Sequence, residues 1–306
     1  MSTGYLGPAG TFSHQALLSL QLSDALVPLA STPAALAAVR AGEVDQALVP
    51  FENSVEGSVP PTLDGLADLA AAPLVVRAEV LLPVHFALLA PPGTALAEVR
   101  SVATHPHAAA QCRAWLAATL PDAEVVLVSS TSAGAAGVAA GSYDAAVSSV
   151  AAAAVHGLDV LADDVADADG GVTRFVLVGP PGPLPAPSGH DRTTLVLFER
   201  SDAPGTLAEL LHEFAVRGIN LSRLESRPTG AGLGSYCFHL DADGHVADAR
   251  LGDALSALHR AAGVRFLGSY AKADRTRSVP LRPGNDDADY AGATAWLARV
   301  RRGDAD

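Results

Sequence analysis

The feature that most constrains the fold is the run at residues 180–189, which reads Pro-Pro-Gly-Pro-Leu-Pro-Ala-Pro-Ser-Gly. Proline has a fixed φ and lacks a backbone N–H, so a run this rich in proline cannot form the interior of a helix or a sheet. Such a run is typical of a semi-rigid linker. The sequence therefore predicts two parts that fold separately, joined by a linker at residues 180–190.

Before the linker, short apolar runs alternate with segments of helical periodicity. The first set predicts strands at 5–6, at 25–29 and up to Val49, with helices from about Ser13 and over 33–40. This βαβαβ order is typical of a parallel sheet covered by helices. A second alternating set follows at 84–161, and a strand at 173–178 would return to the first set. We predict a two-lobed α/β domain at 1–179, with lobe 1 at about 1–82 and 165–179, lobe 2 at about 83–164, and a cleft between them.

After the linker, the pattern predicts a smaller α/β domain at residues 191–270. Its predicted strands are 193–198, 219–225, 235–240 and 264–267, and its predicted helices are 205–216 and 246–258. The order βαββαβ is the ferredoxin-like arrangement. The tail at 271–306 contains one more predicted helix, to which we assign no function.

The composition is that of a folded protein with a large negative charge. Of 306 residues, 49% are hydrophobic and 17% are charged, and the net charge is −13. This charge disfavours a nucleic-acid surface, which needs a basic patch. An anionic small molecule would have to be held by helix N-termini and a few arginines.

No signal-peptide pattern opens the sequence, and no apolar run is long enough to cross a bilayer. We therefore expect a soluble, cytoplasmic protein without a membrane partner. Cys112 and Cys237 fall in different predicted domains. This separation favours reduced, buried thiols over a disulfide.

A dense polar row follows the third predicted strand, in the segment Val-Pro-Phe-Glu-Asn-Ser-Val-Glu-Gly-Ser-Val at 49–59. In open α/β sheets, ligands bind where strands end and the chain changes direction. Glu52, Asn53 and Ser54 are therefore candidates for the wall of a binding site. The alternative is a polar turn that only caps the next helix.

The segment Gly-Pro-Ala-Gly-Thr-Phe-Ser-His at 7–14 follows a strand and opens a helix. Its amides and the hydroxyls of Thr11 and Ser13 could converge on an anion. A capped turn without a ligand is the alternative. Nicotinamide binding is disfavoured because Pro8 interrupts the glycine pattern and no acidic residue ends the second strand.

Two further helix starts carry candidate residues. In the segment Thr-His-Pro-His-Ala-Ala-Ala-Gln-Cys at 104–112, a proline occupies the first helical position and the candidates are Thr104, His105 and Gln111. A metal site is disfavoured there, since the two histidines flank a proline and no third ligand is evident. The third helix start contributes Thr131 and Ser132. Each start could also be a structural cap only.

The tripeptide Thr173-Arg174-Phe175 begins the strand that should return to lobe 1. Ideal alternation places Thr173 and Phe175 on one face and Arg174 on the other. On its own, the tripeptide is compatible with an ordinary strand.

Together and in this order, these segments resemble the prephenate dehydratase family over about residues 4–270. The matching segments are 7–13, 50–54, 104–106 with 111–112, and 173–175, and in the C-terminal part the Gly-Thr-Leu at 205–207 and the Glu-Ser-Arg-Pro at 225–228. The last two are similar to motifs of an ACT regulatory domain. The sequence departs from the family at Gly171, where asparagine is usual, and at Thr206, where alanine is usual.

The resemblance implies a lyase that converts prephenate to phenylpyruvate in phenylalanine biosynthesis, with L-phenylalanine as a feedback effector. It implies a catalytic domain similar to periplasmic binding proteins, a catalytic Thr173, and no cofactor or metal. It also implies a homodimer or homotetramer formed through the ACT domains. The implied substrate-binding residues are Thr11, Ser13, Glu52, Asn53, Ser54, Thr104, His105, Gln111, Thr131, Ser132, Arg174 and Phe175. The implied effector-binding residues are Asp202, Gly205, Leu207, Asn220, Leu221, Glu225, Ser226 and Arg227.

Three points stay open at this level. Glu52 would repel a dianionic substrate, so we expect it to pair with Arg174, to cap a helix, or to be protonated when substrate is bound. Glu225 and Arg227 could simply pair with each other across one strand face. Arogenate dehydratase and a non-catalytic amino-acid sensor are the alternative functions.

Overall fold

The computed structural model describes residues 1–23, 25–167, 171–200, 203–230, 232, 234–277 and 283–304. The chain divides into two compact units. The first unit contains Met1–Thr62 and Val80–Val178, and the second contains Leu63–Glu79 and the chain from Gly179 onward. The boundaries predicted from the sequence stay a prediction, and nothing in the sequence pattern had set residues 63–79 apart.

Strands and helices alternate through most of the described chain. The strands are β1 (Ser2–Leu6), β2 (Ala25–Leu29), β3 (Gln46–Asn53), β4 (Gly57–Ser58), β5 (Val75–Pro83), β6 (Ala87–Ala90), β7 (Ser101–Thr104), β8 (Glu124–Leu127), β9 (Ala145–Ser148), β10 (Asp159–Ala162), β11 (Val172–Gly179), β12 (Asp191–Phe198), β13 (Leu221–Pro228), β14 (Tyr236–Asp243) and β15 (Gly263–Ala271). The helices are α1 (Phe12–Ser19), α2 (Thr32–Ala41), α3 (Pro60–Ala67), α4 (Pro106–Gln111), α5 (Arg113–Thr119), α6 (Thr131–Ala139), α7 (Val150–His156), α8 (Thr206–Ala215), α9 (Ala249–Ala261) and α10 (Asp287–Arg301). Within the described residues, no helix combines the length and the apolar character that a bilayer span requires.

The first sheet has the strand order β2-β1-β3-β11-β5, with the short β4 paired to β3. Strands β1, β2 and β3 run parallel, as the βαβαβ pattern predicted. β11 runs antiparallel to β3, so the sheet as a whole is mixed; the sequence pattern had assigned no direction to this returning strand. The reason is topological: β11 re-enters the first sheet after the chain has passed through the second sheet, and it does so in the opposite direction.

The second sheet has the order β10-β6-β9-β7-β8 and is also mixed. β7 runs parallel to β8 and β9, while β6 runs antiparallel to β9 and β10. Its core contains buried side chains from strands and from α4 and α5, including Leu88, Val102, Leu116 and Val147. Their burial supplies most of the driving force for this part of the fold.

Local sequence explains where the helices begin. The Ser31 hydroxyl accepts a hydrogen bond from Ala34 N at the start of α2, and a proline follows in the first turn. The Ser130 hydroxyl accepts from Ala133 N at the start of α6 in the same way. Serine at the N-cap satisfies an amide that would otherwise lack a partner in the helix. These caps are readable from the sequence.

The third sheet lies in the second unit and has the order β13-β14-β12-β15. With α8 and α9, the chain order is βαββαβ, as predicted. One face of the sheet packs on the two helices through a core that includes Leu195, Leu240, Phe214 and Leu258. This face accounts for the apolar periodicity of the C-terminal sequence.

The other face of the third sheet is polar and contacts the segment 63–79. Arg227 Nε and Nη2 donate to the two carboxylate oxygens of Asp64, at 3.0 and 2.8 Å. Arg265 Nη1 donates to the carbonyl oxygens of Leu66 and Asp68, at the end of α3. A cation at a helix C-terminus satisfies carbonyl groups that have no partner within the helix. The second half of α3 is therefore part of the C-terminal unit.

Gly268 provides a direct test of this packing. Its φ is +133°, and a Cβ at this position would collide with the carbonyl oxygen of Val76. Gly268→Ala should therefore lower the free energy of unfolding by more than about 2 kcal/mol, since both strain and collision oppose it. Urea denaturation followed by circular dichroism measures the change.

The matched control is Gly252→Ala in α9. There the nearest atom to a new Cβ is Val246 O at 3.5 Å, an ordinary contact. Alanine in a helix interior is about 0.5–1 kcal/mol more favourable than glycine, so this variant should be neutral or slightly stabilised. Equal stability of the two variants would contradict the contact between Gly268 and residues 63–79.

Candidate functional site

The polar row that follows Val49 continues the strand. The sequence predicted that the strand ends at Val49, but β3 extends to Asn53. The extension arises because β11 pairs with it, with Glu52 opposite Arg174 and Asn53 opposite Thr173. The prediction of the strand end is wrong because the pairing partner lies about 120 residues away in the chain.

Asn53 and Thr173 are in direct contact. Asn53 Nδ2 donates to Thr173 Oγ1 at 2.9 Å. Asn53 Oδ1 accepts from the backbone amides of Val55 and Glu56, at 2.8 and 3.0 Å. Two N–H donors on Oδ1 fix the orientation of the amide group, so its NH₂ must face the threonine. The hydroxyl oxygen of Thr173 thus accepts a hydrogen bond, and within the described part of the chain its hydrogen has no acceptor.

Arg174 lies in the protein interior, with 5% of its surface exposed. Arg174 Nη1 lies 3.6 Å from Glu52 Oε2, so the pairing expected for Glu52 is present. The guanidinium carbon also lies 4.8 Å from the centre of the Phe51 ring. A register shift between Arg174 and Phe175 places Phe175 opposite Pro50. Such a bulge breaks the ideal alternation of faces that the sequence analysis assumed.

Two neighbours complete this pairing. Ser54 Oγ accepts from Val172 N at 2.9 Å, which extends the contact between the two strands beyond Asn53. Phe175 is 2% exposed and belongs to the core. A Cβ at Gly171 would lie 2.9 Å from Val55 Cγ2 and 3.4 Å from Asn53 Oδ1. Gly171 therefore lets the side chain of Val55 pack closely against the chain at this position.

The loop before α1 is held by its own hydrogen bonds. Thr11 is the N-cap of α1, and its Oγ1 accepts from His14 N at 3.3 Å. The same hydroxyl lies within donating distance of the carbonyls of Leu6 and Pro8, at 2.9 and 3.0 Å. Ser13 is buried in the first turn of α1. The contacts of Thr11 are those of the capped-turn alternative.

Two serines, one in α6 and one at the start of α7, bind this loop. Ser132 Oγ, in α6 next to Thr131, donates to Ala9 O at 2.6 Å, and Ser149 Oγ donates to Gly10 O at 2.7 Å. Gly10 has φ +84°, and a Cβ there would lie 2.9 Å from Ser132 Oγ. Glycine at this position therefore permits the close approach. Ser149 was not predicted, although a serine before an alanine-rich helix is a recognisable helix-start signal.

The start of α4 combines a buried threonine with a partly buried histidine and an exposed one. Thr104 is fully buried and its Oγ1 donates to Val147 O at 2.8 Å, so this hydroxyl serves the second sheet. His105 is the N-cap of α4, and its ring stacks on that of His107 with centroids 5.2 Å apart. Gln111, at the end of α4, donates from Nε2 to Glu56 Oε1 at 3.3 Å.

Glu56 also lies 2.8 Å from His107, measured between Oε1 and Nδ1. Neither Glu56 nor His107 was predicted as a site residue. The signal that could have indicated Glu56 is its place in the same polar row as Asn53.

The electrostatics of the site leave few positive charges for an anion. Burial lowers the pKa of His14. Burial and the neighbouring His107 lower the pKa of His105, against an opposing effect of Glu56. Both imidazoles are therefore neutral at neutral pH.

Burial also raises the pKa of Cys112 to about 12, so this thiol is protonated and inert. Among the described residues, no group of three or more His, Cys, Asp or Glu side chains could hold a metal ion.

The residues expected to bind an effector lie along α8, β13 and the loop before it. Gly205 is the N-cap of α8 with φ +95°, and Leu207 and Leu221 pack against the core of the third sheet. Asn220 Nδ2 donates to Asp243 Oδ2 at 3.0 Å, and Ser226 is exposed. Glu225 accepts from Arg223 Nη2 at 2.7 Å, while Arg227 binds Asp64. Asp202 lies outside the described residues. The effector role of this set stays a prediction.

The hydrogen bond between Ser132 of α6 and Ala9 of the loop before α1 can be tested by substitution. Ser132→Ala removes the hydroxyl that donates to Ala9 O and leaves a carbonyl without that donor, which should cost about 1–3 kcal/mol of unfolding free energy. Urea denaturation measures it. Ser142→Ala, at an exposed position just after α6, is the control and should change stability by less than about 0.5 kcal/mol. Loss of stability in Ser142→Ala but not in Ser132→Ala would refute the anchoring role.

Comparison with known proteins assigns the chain to a family. A family model described as prephenate dehydratase matches residues 3–182. The prephenate dehydratase of Mycolicibacterium vanbaalenii is 49% identical over 315 residues, covering 98% of each chain. A crystal structure of prephenate dehydratase from Arthrobacter aurescens in complex with L-Phe has a TM-score of 0.91 and 46% identity, over 99% of this chain and 100% of that one.

A further structure, described as GqqA, a novel type of quorum quenching acylase, has a TM-score of 0.81 and 30% identity, over 90% of this chain and 100% of that one. The family model covers residues 3–182, and the Mycolicibacterium vanbaalenii relative covers 98% of the chain. This chain belongs to the prephenate dehydratase family.

Proposed function

We propose that this chain catalyses the decarboxylative dehydration of prephenate to phenylpyruvate, as a carbon–oxygen lyase of phenylalanine biosynthesis. Family membership supports the activity. The observation that carries the proposal is the contact between Asn53 Nδ2 and Thr173 Oγ1 at 2.9 Å. It gives a specific chemical role to a threonine that the sequence resemblance selects.

The reaction needs one proton at one oxygen. The bond between the ring carbon and the 4-hydroxyl oxygen breaks, and its electron pair leaves with the oxygen, which takes up a proton and departs as water. The bond to the ring carboxylate breaks as carbon dioxide leaves, and that electron pair completes the aromatic ring. Aromaticity supplies much of the driving force, so the protein has to assist chiefly the departure of the hydroxyl.

Thr173 has the features of a donor to this departing oxygen. Its oxygen accepts from Asn53, and among the described residues its hydroxyl hydrogen has no hydrogen-bond acceptor, so it could point at a substrate. A hydrogen bond received by a hydroxyl polarises it and strengthens the one that it donates. Positioned proton donation of this kind is typically worth about 10²–10⁴-fold in rate. Asn53 then acts by orienting Thr173, while the remaining predicted substrate contacts stay predictions.

The substrate is a dianion, and the chain carries a net charge of −13. Arg174 is paired with Glu52, and the neutral His14 and His105 offer no positive charge. We therefore assign most of the attraction to backbone amides at the starts of α1 and α6, where the helix dipole is positive. The hydroxyls that cap these helices leave other first-turn amides for the two carboxylates.

Other activities are distinguished by simple assays. Ultraviolet detection of phenylpyruvate from added prephenate supports the enzyme, while a ligand-induced shift in melting temperature without product favours an amino-acid sensor. Comparison of kcat/KM for prephenate and arogenate decides between the two dehydratases. The acylase activity named for one structural relative would need an activated nucleophile. The Asn53–Thr173 pair does not supply one, because the partner of Thr173 is an amide N–H, which cannot accept a proton.

We further propose that the βαββαβ part is an ACT domain through which L-phenylalanine inhibits the enzyme. The relative from Arthrobacter aurescens was solved in complex with L-Phe, which supports an effector of this kind. Within the described residues, β13 and β15 form the edges of the third sheet, and a sheet edge favours association with a second copy of the chain. This arrangement supports a homodimer or homotetramer.

Helix α3 offers a physical route for this inhibition. In the first unit, Thr62 Oγ1 donates to Pro50 O of β3, the strand that ends in Asn53. In the second unit, Asp64 of the same helix binds Arg227 of β13. A displacement of β13 would therefore act on α3 directly, and through the same helix on its hydrogen bond to β3.

Thr173→Ala should lower kcat by about a hundredfold and change KM little, because the lost interaction is made chiefly in the transition state. Steady-state kinetics with prephenate measures both constants. Thr173→Ser retains a hydroxyl and is the matched control, which should keep most of kcat. Unchanged turnover in a folded Thr173→Ala variant would remove Thr173 from the mechanism.

Asp64→Asn should separate effector binding from inhibition. In the full chain, L-phenylalanine should raise the melting temperature of both wild type and Asp64→Asn, because binding to the folded state stabilises it. Inhibition of turnover should be weakened only in the variant. Calorimetry and kinetics on the same samples give the two readouts.

The control is Asp253→Asn, which removes a carboxylate 2.7 Å from Arg217 Nε in the same unit but away from α3. This variant should be inhibited as strongly as wild type. Full inhibition of Asp64→Asn would refute the route through α3, and an absence of any melting shift with L-phenylalanine would refute the effector itself.

A further inference from the structure

The turn between β3 and β4 contains a carboxylate that reaches the second sheet. Glu56 lies in this turn, and its Oε1 is 2.8 Å from His107 Nδ1 and 3.3 Å from Gln111 Nε2. The two partners lie one turn apart on α4, and Glu56 contacts both. One side chain from the turn after β3 thus binds two residues of α4, which packs on the second sheet.

The partner side is also ordered. His107 stacks on His105 with the rings 7° from parallel, and His105 Nδ1 accepts from His107 N at 3.3 Å as the N-cap of α4. The bond to Glu56 therefore engages a histidine whose ring is already held by its neighbour. This order lowers the entropy cost of the pair compared with two mobile surface side chains.

The same residue is tied to the proposed catalytic pair through its backbone. Glu56 N donates to Asn53 Oδ1 at 3.0 Å, and Asn53 Nδ2 donates to Thr173 Oγ1. A continuous set of hydrogen bonds therefore runs from α4 through Glu56 and Asn53 to Thr173. Movement of α4 away from the turn would pull on the group that orients Asn53.

We propose that Glu56 is a positioning residue, which fastens the Asn53–Gly57 turn to α4 and so holds the two sheets in the arrangement that accepts substrate. This inference rests on the proposed function. It goes beyond the family motif, because it concerns the carboxylate after the Glu-Asn-Ser segment and the histidine that faces it. Ser132 and Ser149 fasten the two sheets at the first loop, and Glu56 provides a second fastening point.

The competing explanation is an ordinary surface ion pair. The side chains of Glu56 and His107 are 43% and 63% exposed, and pairs of this kind contribute little to stability. The two explanations differ in what they predict for kinetics. A surface pair leaves the kinetic constants unchanged, whereas a fastening point changes the fraction of the free enzyme that is ready to bind substrate.

The direction of the kinetic change follows from the geometry. Glu56→Gln removes the charge on the side chain and keeps the backbone N–H that binds Asn53 Oδ1. The Asn53–Thr173 contact should survive, so kcat should stay within about twofold of wild type. The free enzyme should spend less time in the fastened arrangement, so KM for prephenate should rise about two- to fivefold.

The matched control is Glu43→Gln. Glu43 is an exposed glutamate that precedes β3, at the opposite end of the strand from Asn53. It should leave both constants unchanged. His107→Gln should raise KM in the wild-type background and have no further effect in the Glu56→Gln background, since the two substitutions remove one interaction.

Hydrogen exchange on the ligand-free full chain tests the contact without relying on activity. Glu56→Gln should speed exchange in peptides that cover 53–58 and also in those that cover 104–112, and Glu43→Gln should change neither. A coupled change in both segments is expected only if Glu56 joins them. Faster exchange confined to 53–58 would overturn the proposal.

The kinetic results separately test the positioning role of Glu56 and the proposed function. Equal KM in Glu56→Gln and Glu43→Gln, or additive effects of Glu56→Gln and His107→Gln, would overturn the positioning role while the proposed function stands. A wild-type chain that forms no phenylpyruvate would refute the proposed function, and the exchange experiment would still judge the fastening by Glu56.

Discussion

The antiparallel pairing of β11 with β3 is the constraint on which the candidate site depends. It brings together residues about 120 positions apart, extends β3 through its polar row, and places Asn53 opposite Thr173. Without this pairing, the amide of Asn53 would face solvent and Thr173 would be an ordinary strand residue. Two backbone amides of the following turn fix the Asn53 side chain, so its orientation is determined by the local chain as well as by its partner.

The same pairing bears on how an acidic protein could bind the dianionic substrate of the proposed function. Arg174 and Glu52 are neighbours across the two strands, so the arginine is compensated internally and stacked over Phe51. Burial keeps His14 and His105 neutral. In the proposed function, the attraction for a dianion comes from the fixed polarity of helix starts, which does not depend on protonation. Backbone amides can also bind an anion without the protein having to bury an unpaired charged side chain, which would be costly.

Helix α3 begins in the first unit, next to β3, and ends in the segment 63–79 of the second unit. The helix is bound by arginines of the third sheet at its second half, while its first half is bound to β3. Covalent continuity through a short helix is a stiff connection, since the helix has few internal degrees of freedom. If L-phenylalanine inhibits the enzyme as proposed, this shared helix would carry the effect from the third sheet to β3.

The sequence by itself determined the alternation of strands and helices, the capped helix starts and the βαββαβ pattern, because these follow from local periodicity and from glycine and serine chemistry. The linker at 180–190 stays a prediction. It also selected Asn53, Thr173 and Gln111 by resemblance. Only the tertiary structure decided the direction of β11, the bulge beside Arg174, the pairing of Arg227 with Asp64 and the contacts of Glu56. These depend on contacts between distant segments, and local patterns contain no information on which distant segment a strand, a turn or an arginine will meet.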